Sequence, residues 1–216
     1  MSDEVRYSTI FEDEHILVID KPPLLAVQSE QKEESLETIL QKTYQSFSIV
    51  HRLDQRVGGL MIVAKSELAT NQLNDDFQNG FIKKKYKAII SGKPYKNADT
   101  LTHWIMKSAS NYKVKTFTEE RIGSKRARLR YELISSSEKY SLLEIDLLTG
   151  RFHQIRAQLA AIACPIVGDL KYGFPRSTPD GSIFLQSNQL SFRHPVTKED
   201  LNFEIETPIL WKKYGF

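Results

Sequence analysis

One cysteine, Cys164, is all the thiol chemistry in this 216-residue chain, so neither a disulfide framework nor a cysteine–zinc cluster can hold it together. The opening segment MSDEVRYSTIFEDEH is acidic and has no apolar signal core. No stretch approaches the roughly 20 apolar residues of a membrane span. No unit of roughly 20 to 50 residues repeats, which excludes solenoids and propellers. A phosphate-cradling glycine loop and a His/Glu spacing suited to a metal are also missing. The expectation is a cytoplasmic monomer with no cofactor, no metal and no membrane contact.

What the chain does have is core-forming material. Its 40% hydrophobic and 10% aromatic residues are enough for a chain of this length to bury about 70% of its unfolded surface. A single domain over residues 1–216 is expected. The net charge of +3 conceals an asymmetry: residues 1–50 carry 4 Lys/Arg against 10 Asp/Glu, whereas residues 81–130 carry 14 against 3. In that basic stretch Lys83, Lys84, Lys85, Lys87, Lys113, Lys115, Arg121, Lys125, Arg126, Arg128 and Arg130 alternate with Tyr86, Tyr95, Trp104 and Tyr112. Cations among aromatic faces suit a polyanion, because neutralised phosphates release counterions and rings stack on bases. A solvated face on ordinary strands is the bland alternative.

Periodicity supplies the elements. HILVID at His15–Asp20 reads as a buried strand stopped by Lys21-Pro22-Pro23, where the ladder loses its donors. Ser35 caps a short helix to about Thr43, with Leu36, Ile39 and Leu40 on one face. Gly58–Lys65 is a second buried strand. It leads into a helix capped by Ser66 and ended by Gly80, with Ala69, Leu73 and Phe77 along one side. The period then falls to two in Lys84–Ile90, Arg126–Leu133 and Leu143–Leu147, which marks half-buried strands whose cations share a face. A helix is predicted over Phe152–Ala163 with Phe152, Ile155, Leu159 and Ile162 as its stripe and Arg156 at the stripe's edge. Phe184–Phe192 and Leu201–Ile205 read as a terminal hairpin around HPVTKED. The class is α+β, a mixed and largely antiparallel sheet flanked by helices.

Two segments carry ionisable groups on apolar or glycine-rich scaffolding. In His51-Arg52-Leu53-Asp54, the aspartate enters a buried strand through Val57-Gly58-Gly59; a salt-bridged or turn-capping aspartate is the structural alternative. In Gly150-Arg151-Phe152-His153-Gln154-Ile155-Arg156, a guanidinium beside the apolar stripe could hold a carboxylate ionised, or its stem could snorkel to the surface. A third segment, KKKYKA, places Tyr86 opposite the cations, where most strand tyrosines are core residues.

These segments resemble the RluA-type pseudouridine synthases. HRLDQRVGGLMIVAK is similar to the family's catalytic motif, KKKYKAI to its Lys-x-Tyr-x-Ala strand, and TGRFHQIRAQLAAIACPIVGDLKYG to its Gly-Arg-x-His-Gln-Ile-Arg segment with the downstream Gly-Asp-x-x-Tyr-Gly. Asp20-Lys21-Pro22 and His194-Pro195 fit as well, so the motifs span about residues 15–205 in order. The resemblance implies a pseudouridine synthase-like catalytic domain without an S4-like RNA-binding domain, acting on uridine in rRNA or tRNA. It implies Asp54 as the essential catalytic residue, Tyr86 as the ring that stacks on the flipped uracil, and Arg156 as the partner of the aspartate. It also implies Arg52 entering the RNA where the base leaves, with His51, Arg151, His153 and Gln154 as further substrate-binding residues.

The chemistry asks for such groups. Isomerisation breaks the N1–C1′ bond, turns the base and joins C5 to C1′ with no net redox change, so one ionised, poorly hydrated carboxylate starts it, as nucleophile or base. A stacked uridine must first be extruded at a cost of a few kcal/mol, about what stacking and a gap-filling side chain return. The chain departs from the family in having Val57-Gly58-Gly59 where many relatives have Thr-Ser-Gly, and Leu24 where a glycine is common. Two other readings stand beside the isomerase: an RNA-binding protein of the same fold without activity, and a glycoside hydrolase, which lacks a second catalytic carboxylate in these motifs.

Overall fold

A computed structural model describes residues 7–28, 34–108 and 113–216. Tyr112 of the basic stretch and the first six residues of the acidic N-terminus lie outside the described residues. The chain forms β1 (Ser8–Glu12), β2 (Ile16–Lys21), α1 (Leu36–Thr43), β3 (Ser48–Ile49), β4 (Gly58–Ala64), α2 (Glu67–Asn79), β5 (Lys83–Ser91), β6 (Ala98–Lys107), β7 (Val114–Phe117), β8 (Lys125–Ser136), β9 (Tyr140–Leu147), α3 (Gln154–Ala161), β10 (Leu185–Arg193) and β11 (Asp200–Glu204). It divides into two compact units, Met1–Lys84 with Gln186–Glu206, and Lys85–Leu185 with Thr207–Phe216.

In the first unit the strands run in the order β1-β2-β4-β10, with β3 against β4 and β11 against β10. The pairs are antiparallel except β4 with β10, which meet in parallel where Gly58 and Gly59 lie opposite Gln186 and Ser187. The β2 and β4 residues Ile16, Leu17, Val18, Ile19, Leu60, Met61, Ile62 and Val63 are all solvent-free, so both faces of these strands are covered. One face packs Ile16, Val18, Leu60 and Ile62 against Ala69 and Leu73 of α2 and Leu190 and Phe192 of β10. Each buried aliphatic side chain contributes roughly 1.5–3 kcal/mol. The predicted caps are present: Ser35 Oγ accepts from the Thr38 amide at 3.3 Å, Ser66 Oγ from the Ala69 amide at 3.2 Å, and Gly80 ends α2 at φ 73°.

In the second unit the order is β5-β9-β8-β6-β7, antiparallel throughout. The predicted alternation is realised on β8, where Ala127, Leu129 and Tyr131 are buried between exposed Arg126, Arg128 and Arg130. Ala157 of α3 packs on Ile105, Val114 and Ala127. Two expectations are corrected. Ile89, which the period of two in Lys84–Ile90 sets on the same side as Lys85 and Lys87, is buried, because its amide and carbonyl bond Phe184 and Val167 of a covering segment. The helix expected over Phe152–Ala163 is only Gln154–Ala161, and it is not amphipathic: Gln154 through Leu159 are all buried. Its polar side chains are tolerated inside because Gln154 and Arg156 are bonded through both ends of their polar groups and Gln158 donates through Nε2 to the Leu101 and Ala127 carbonyls.

Candidate active site

In the first unit, β3 delivers the chain to His51-Arg52-Leu53-Asp54. Leu53 and Val57 are buried, and the Val57 amide donates to the Asp54 carbonyl at 3.0 Å, so the turn is pinned on both sides of the aspartate. Gly59 follows with φ 118°, and a Cβ there would collide with the Ser187 backbone, so this parallel contact requires glycine. Asp54 is half-buried and Arg52 exposed. His51 braces the turn from inside, where its Nε2 accepts the Ile62 amide at 2.9 Å and its ring lies 4.7 Å from Phe77. Burial, with the nearby charge of Lys84, holds the imidazole pKa well below its ordinary value.

Beneath this turn lies a cation that the sequence pattern marks only as a strand stop. Lys21 is solvent-free, and its Nζ donates to the carbonyls of Pro22 at 2.8 Å, Leu25 at 2.9 Å and Gln55 at 3.4 Å. Gln55 is the residue after Asp54, so the ammonium ties the Asp54 turn to the end of β2. Desolvation lowers the Lys21 pKa to about 8, and the charges of Asp54 and Asp20 work against that shift. Asp20 is raised by its own burial, opposed by Lys21 and the Gly59 amide.

In the second unit Tyr86 is buried on β5 opposite Ile145 of β9, which in turn faces Tyr131 of β8. The start of α3 is built around Gln154, whose Oε1 accepts from the Thr149 hydroxyl at 2.7 Å and the Arg151 amide at 3.0 Å, while Nε2 donates to the Arg128 carbonyl at 2.9 Å. These bonds hold together the turn that presents Arg151 and His153. Arg151 is exposed, its Nε bonded to the Arg126 carbonyl at 3.3 Å. His153 takes the left-handed conformation at φ 52°, stacks on Phe152 at 3.8 Å, and has Nδ1 2.9 Å from the Tyr172 hydroxyl. That hydroxyl also accepts the Val114 amide at 2.9 Å, so it joins the His153 ring to the start of β7.

Arg156 is held side-on by a carboxylate that no spacing in the sequence pairs with it. Its Nε and Nη2 donate to the two oxygens of Asp169 at 2.7 and 2.8 Å, and Asp169 is solvent-free. The Tyr172 ring lies 5.1 Å from the guanidinium carbon. Side-on pairing fixes the guanidinium plane and turns Nη1 away from Asp169. Asp169 and Tyr172 belong to the Gly-Asp-x-x-Tyr-Gly segment, so the motif was visible, but their bond to Arg156 was not. The first unit thus carries His51, Arg52 and Asp54 on one turn with Lys21 bonded beneath it, and the second carries Arg151, His153, Gln154 and Arg156 at the start of α3, with Asp169 on Arg156 and Tyr172 on His153. No group of three or more metal-ligating side chains occurs among the described residues.

Residues 15–161 match the family described as RNA pseudouridylate synthase. The chain belongs to the RNA pseudouridylate synthase family. It is 33% identical over 211 residues to ribosomal large subunit pseudouridine synthase C of Rickettsia typhi, covering 94% of this chain and 69% of that one. An uncharacterized RNA pseudouridine synthase of Bacillus subtilis is 29% identical over 216 residues, covering 96% and 75%. The human RNA pseudouridylate synthase domain containing 4 superposes with a TM-score of 0.79 at 23% identity, over 95% of this chain and 90% of that one, which shows a shared fold. As a pseudouridine synthase the protein is an isomerase acting on uridine in RNA, and the expected α+β class with a mixed sheet is the one observed.

Proposed function

We propose that this pseudouridine synthase modifies ribosomal RNA of the large subunit, with Asp54, Tyr86 and Arg156 acting on one extruded uridine. The observation that carries the proposal is the Asp54 turn itself: a half-open carboxylate on a turn pinned by buried Leu53 and Val57 and tied below by the Lys21 ammonium. Such a carboxylate has the fixed position and partial dehydration that attack on the nucleoside needs. Tyr86 supplies an aromatic face, and Arg156, its plane set by Asp169, supplies directional hydrogen bonds and charge. Arg52 fills the gap left in the RNA, and Arg151 and His153 contact the phosphates, while His51 and Gln154 support their turns from inside. Relatives named for the large ribosomal subunit support the choice of RNA. The chain works as a single domain over 1–216, as a cytoplasmic monomer; among the described residues no helix is long and apolar enough to cross a membrane.

The test is tritium release from [5-³H]uridine-labelled large-subunit rRNA. Wild type should release tritium, and Asp54→Asn should fold and bind RNA yet lose about a thousandfold or more in rate. An active Asp54→Asn enzyme removes the carboxylate from the mechanism. RNA binding by wild type with no pseudouridine formed on any cellular RNA favours the inactive RNA-binding reading, to which the Val57-Gly58-Gly59 departure points.

A further inference from the structure

The sheet of the second unit has two faces of different character. Tyr86, Ala127, Leu129 and Tyr131 are buried on one, where α3 packs. The strand alternation turns Thr102, Trp104, Arg126, Arg128 and Arg130 to the other. There Trp104 of β6 lies directly between Phe117 of β7 and Arg126 of β8, with the Arg126 guanidinium carbon 6.0 Å from the Trp104 ring centroid. Arg128 stands opposite Thr102, and Lys115 opposite Met106 toward the outer strand. Residues two apart on β8 repeat at about 7 Å, so its arginines form a straight ladder beside the two rings.

The charge on this face is not uniform. Its carboxylates, Glu132, Glu144 and Asp146, gather toward β9 and β5, where Lys85 bridges Glu144 at 2.7 Å and Asp146 stands opposite both Lys85 and Arg130. The β6–β8 side keeps exposed Arg126, Arg128 and Lys115 together with the partly exposed rings of Trp104 and Phe117. Cations in line with aromatic faces are complementary to a nucleic-acid strand with unpaired bases, since a duplex hides the base faces a ring would stack on.

We propose that this face, across the sheet from Tyr86, is a second RNA-docking surface that takes an unpaired segment of the substrate outside the reacting uridine. Arg126 and Arg128 hold successive phosphates and Trp104 stacks on a base. The proposal deepens the isomerase reading and rests on it for the identity of the ligand as RNA. It makes the enzyme's hold on long RNA partly independent of the nucleotide that reacts.

The experiment is equilibrium binding of fluorescein-labelled oligo(U) to the full chain over a salt series, beside tritium release from labelled large-subunit rRNA. The Arg126→Glu/Arg128→Glu double variant, exposed and expected to melt like wild type, should bind about tenfold or more weakly and lose about 1.4 from the magnitude of its log–log salt slope, as two lost phosphate contacts on a single strand require. Trp104→Ala should bind about fivefold more weakly with the slope unchanged, as lost stacking requires. Lys85→Met should bind as wild type does, because Glu144 already occupies that charge. Unchanged affinity in the arginine and tryptophan variants overturns the docking surface, as does an equal loss in Lys85→Met, which would make the effect one of overall field. Absence of tritium release by wild type on every RNA instead overturns the isomerase reading, and the oligo(U) result stands apart from it.

Discussion

Lys21, beneath the Asp54 turn, and Arg156, on α3, are both buried cations, and the protein treats them in opposite ways. Lys21 faces carbonyl dipoles, with the carboxylates Asp20 and Asp54 acting on it through the field, and its pKa falls to about 8. Arg156 has a carboxylate of its own, with both oxygens of Asp169 committed to it. An ammonium is a compact, strongly hydrated charge that can shed its proton when dehydrated, whereas a guanidinium cannot and therefore needs a full counter-ion. The first arrangement yields a titratable pin under a turn, the second a rigid plane.

The largest break in this contrast should come from Asp169→Ala, which leaves a buried guanidinium without its carboxylate. Urea unfolding is expected to show a loss of about 3–5 kcal/mol, with tritium release falling in the protein that remains folded. Stability near that of wild type would mean that Arg156 finds other partners. Lys21→Met comes next. It leaves three carbonyls without their shared donor and should lower stability at pH 7 by about 1–3 kcal/mol, a loss that denaturant titration can check.

The same pair sharpens into a pH experiment. Because the folded protein holds the Lys21 proton less tightly than the unfolded chain does, the unfolded state binds more protons between pH 8 and 10.5, and stability rises across that window. Wild type should therefore gain up to about 3 kcal/mol on Lys21→Met as pH goes from 8 to 10.5. Lys84, also lowered to about 8 by burial, is present in both proteins and cancels from the difference. Parallel pH curves for the two proteins would show that Lys21 is not the titrating group. The smallest effect concerns the loop that Lys21 bonds: Leu24 sits at φ 71° with its side chain 47% exposed. Leu24→Gly should relieve left-handed strain and raise stability by about 1 kcal/mol, seen as a higher melting temperature.

Much of the architecture was legible because it rests on local rules. The caps at Ser35 and Ser66, the glycine stop at Gly80 and the alternation of β8 are each decided within a few residues, and each stands in the fold where the local pattern puts it. β6 carries no clear sequence signal, because Thr102, His103 and Trp104 blur its alternation: His103 meets Gln158 of α3 at 3.0 Å while its neighbours turn outward. The burial of α3 on all sides is not legible in its period, because it depends on hydrogen bonds to partners far along the chain. The site behaves alike. Asp54, Tyr86 and Arg156 stand in recognisable motifs, whereas the grip of Lys21 on Gln55 and of Asp169 on Arg156 exists only after folding has closed separations of 34 and 13 residues.

The parallel contact of β4 with β10 has a consequence for how the protein is made. Gly58 and Gly59, at the exit of the Asp54 turn, meet Gln186 and Ser187, which leave the ribosome more than a hundred residues later. A nascent chain that has already formed β1, β2, β4 and α2 still waits for its last segment before that edge is sealed. The exit of the Asp54 turn is therefore among the final parts to be packed, and a premature stop codon before residue 186 would yield an intact motif on an unfinished scaffold.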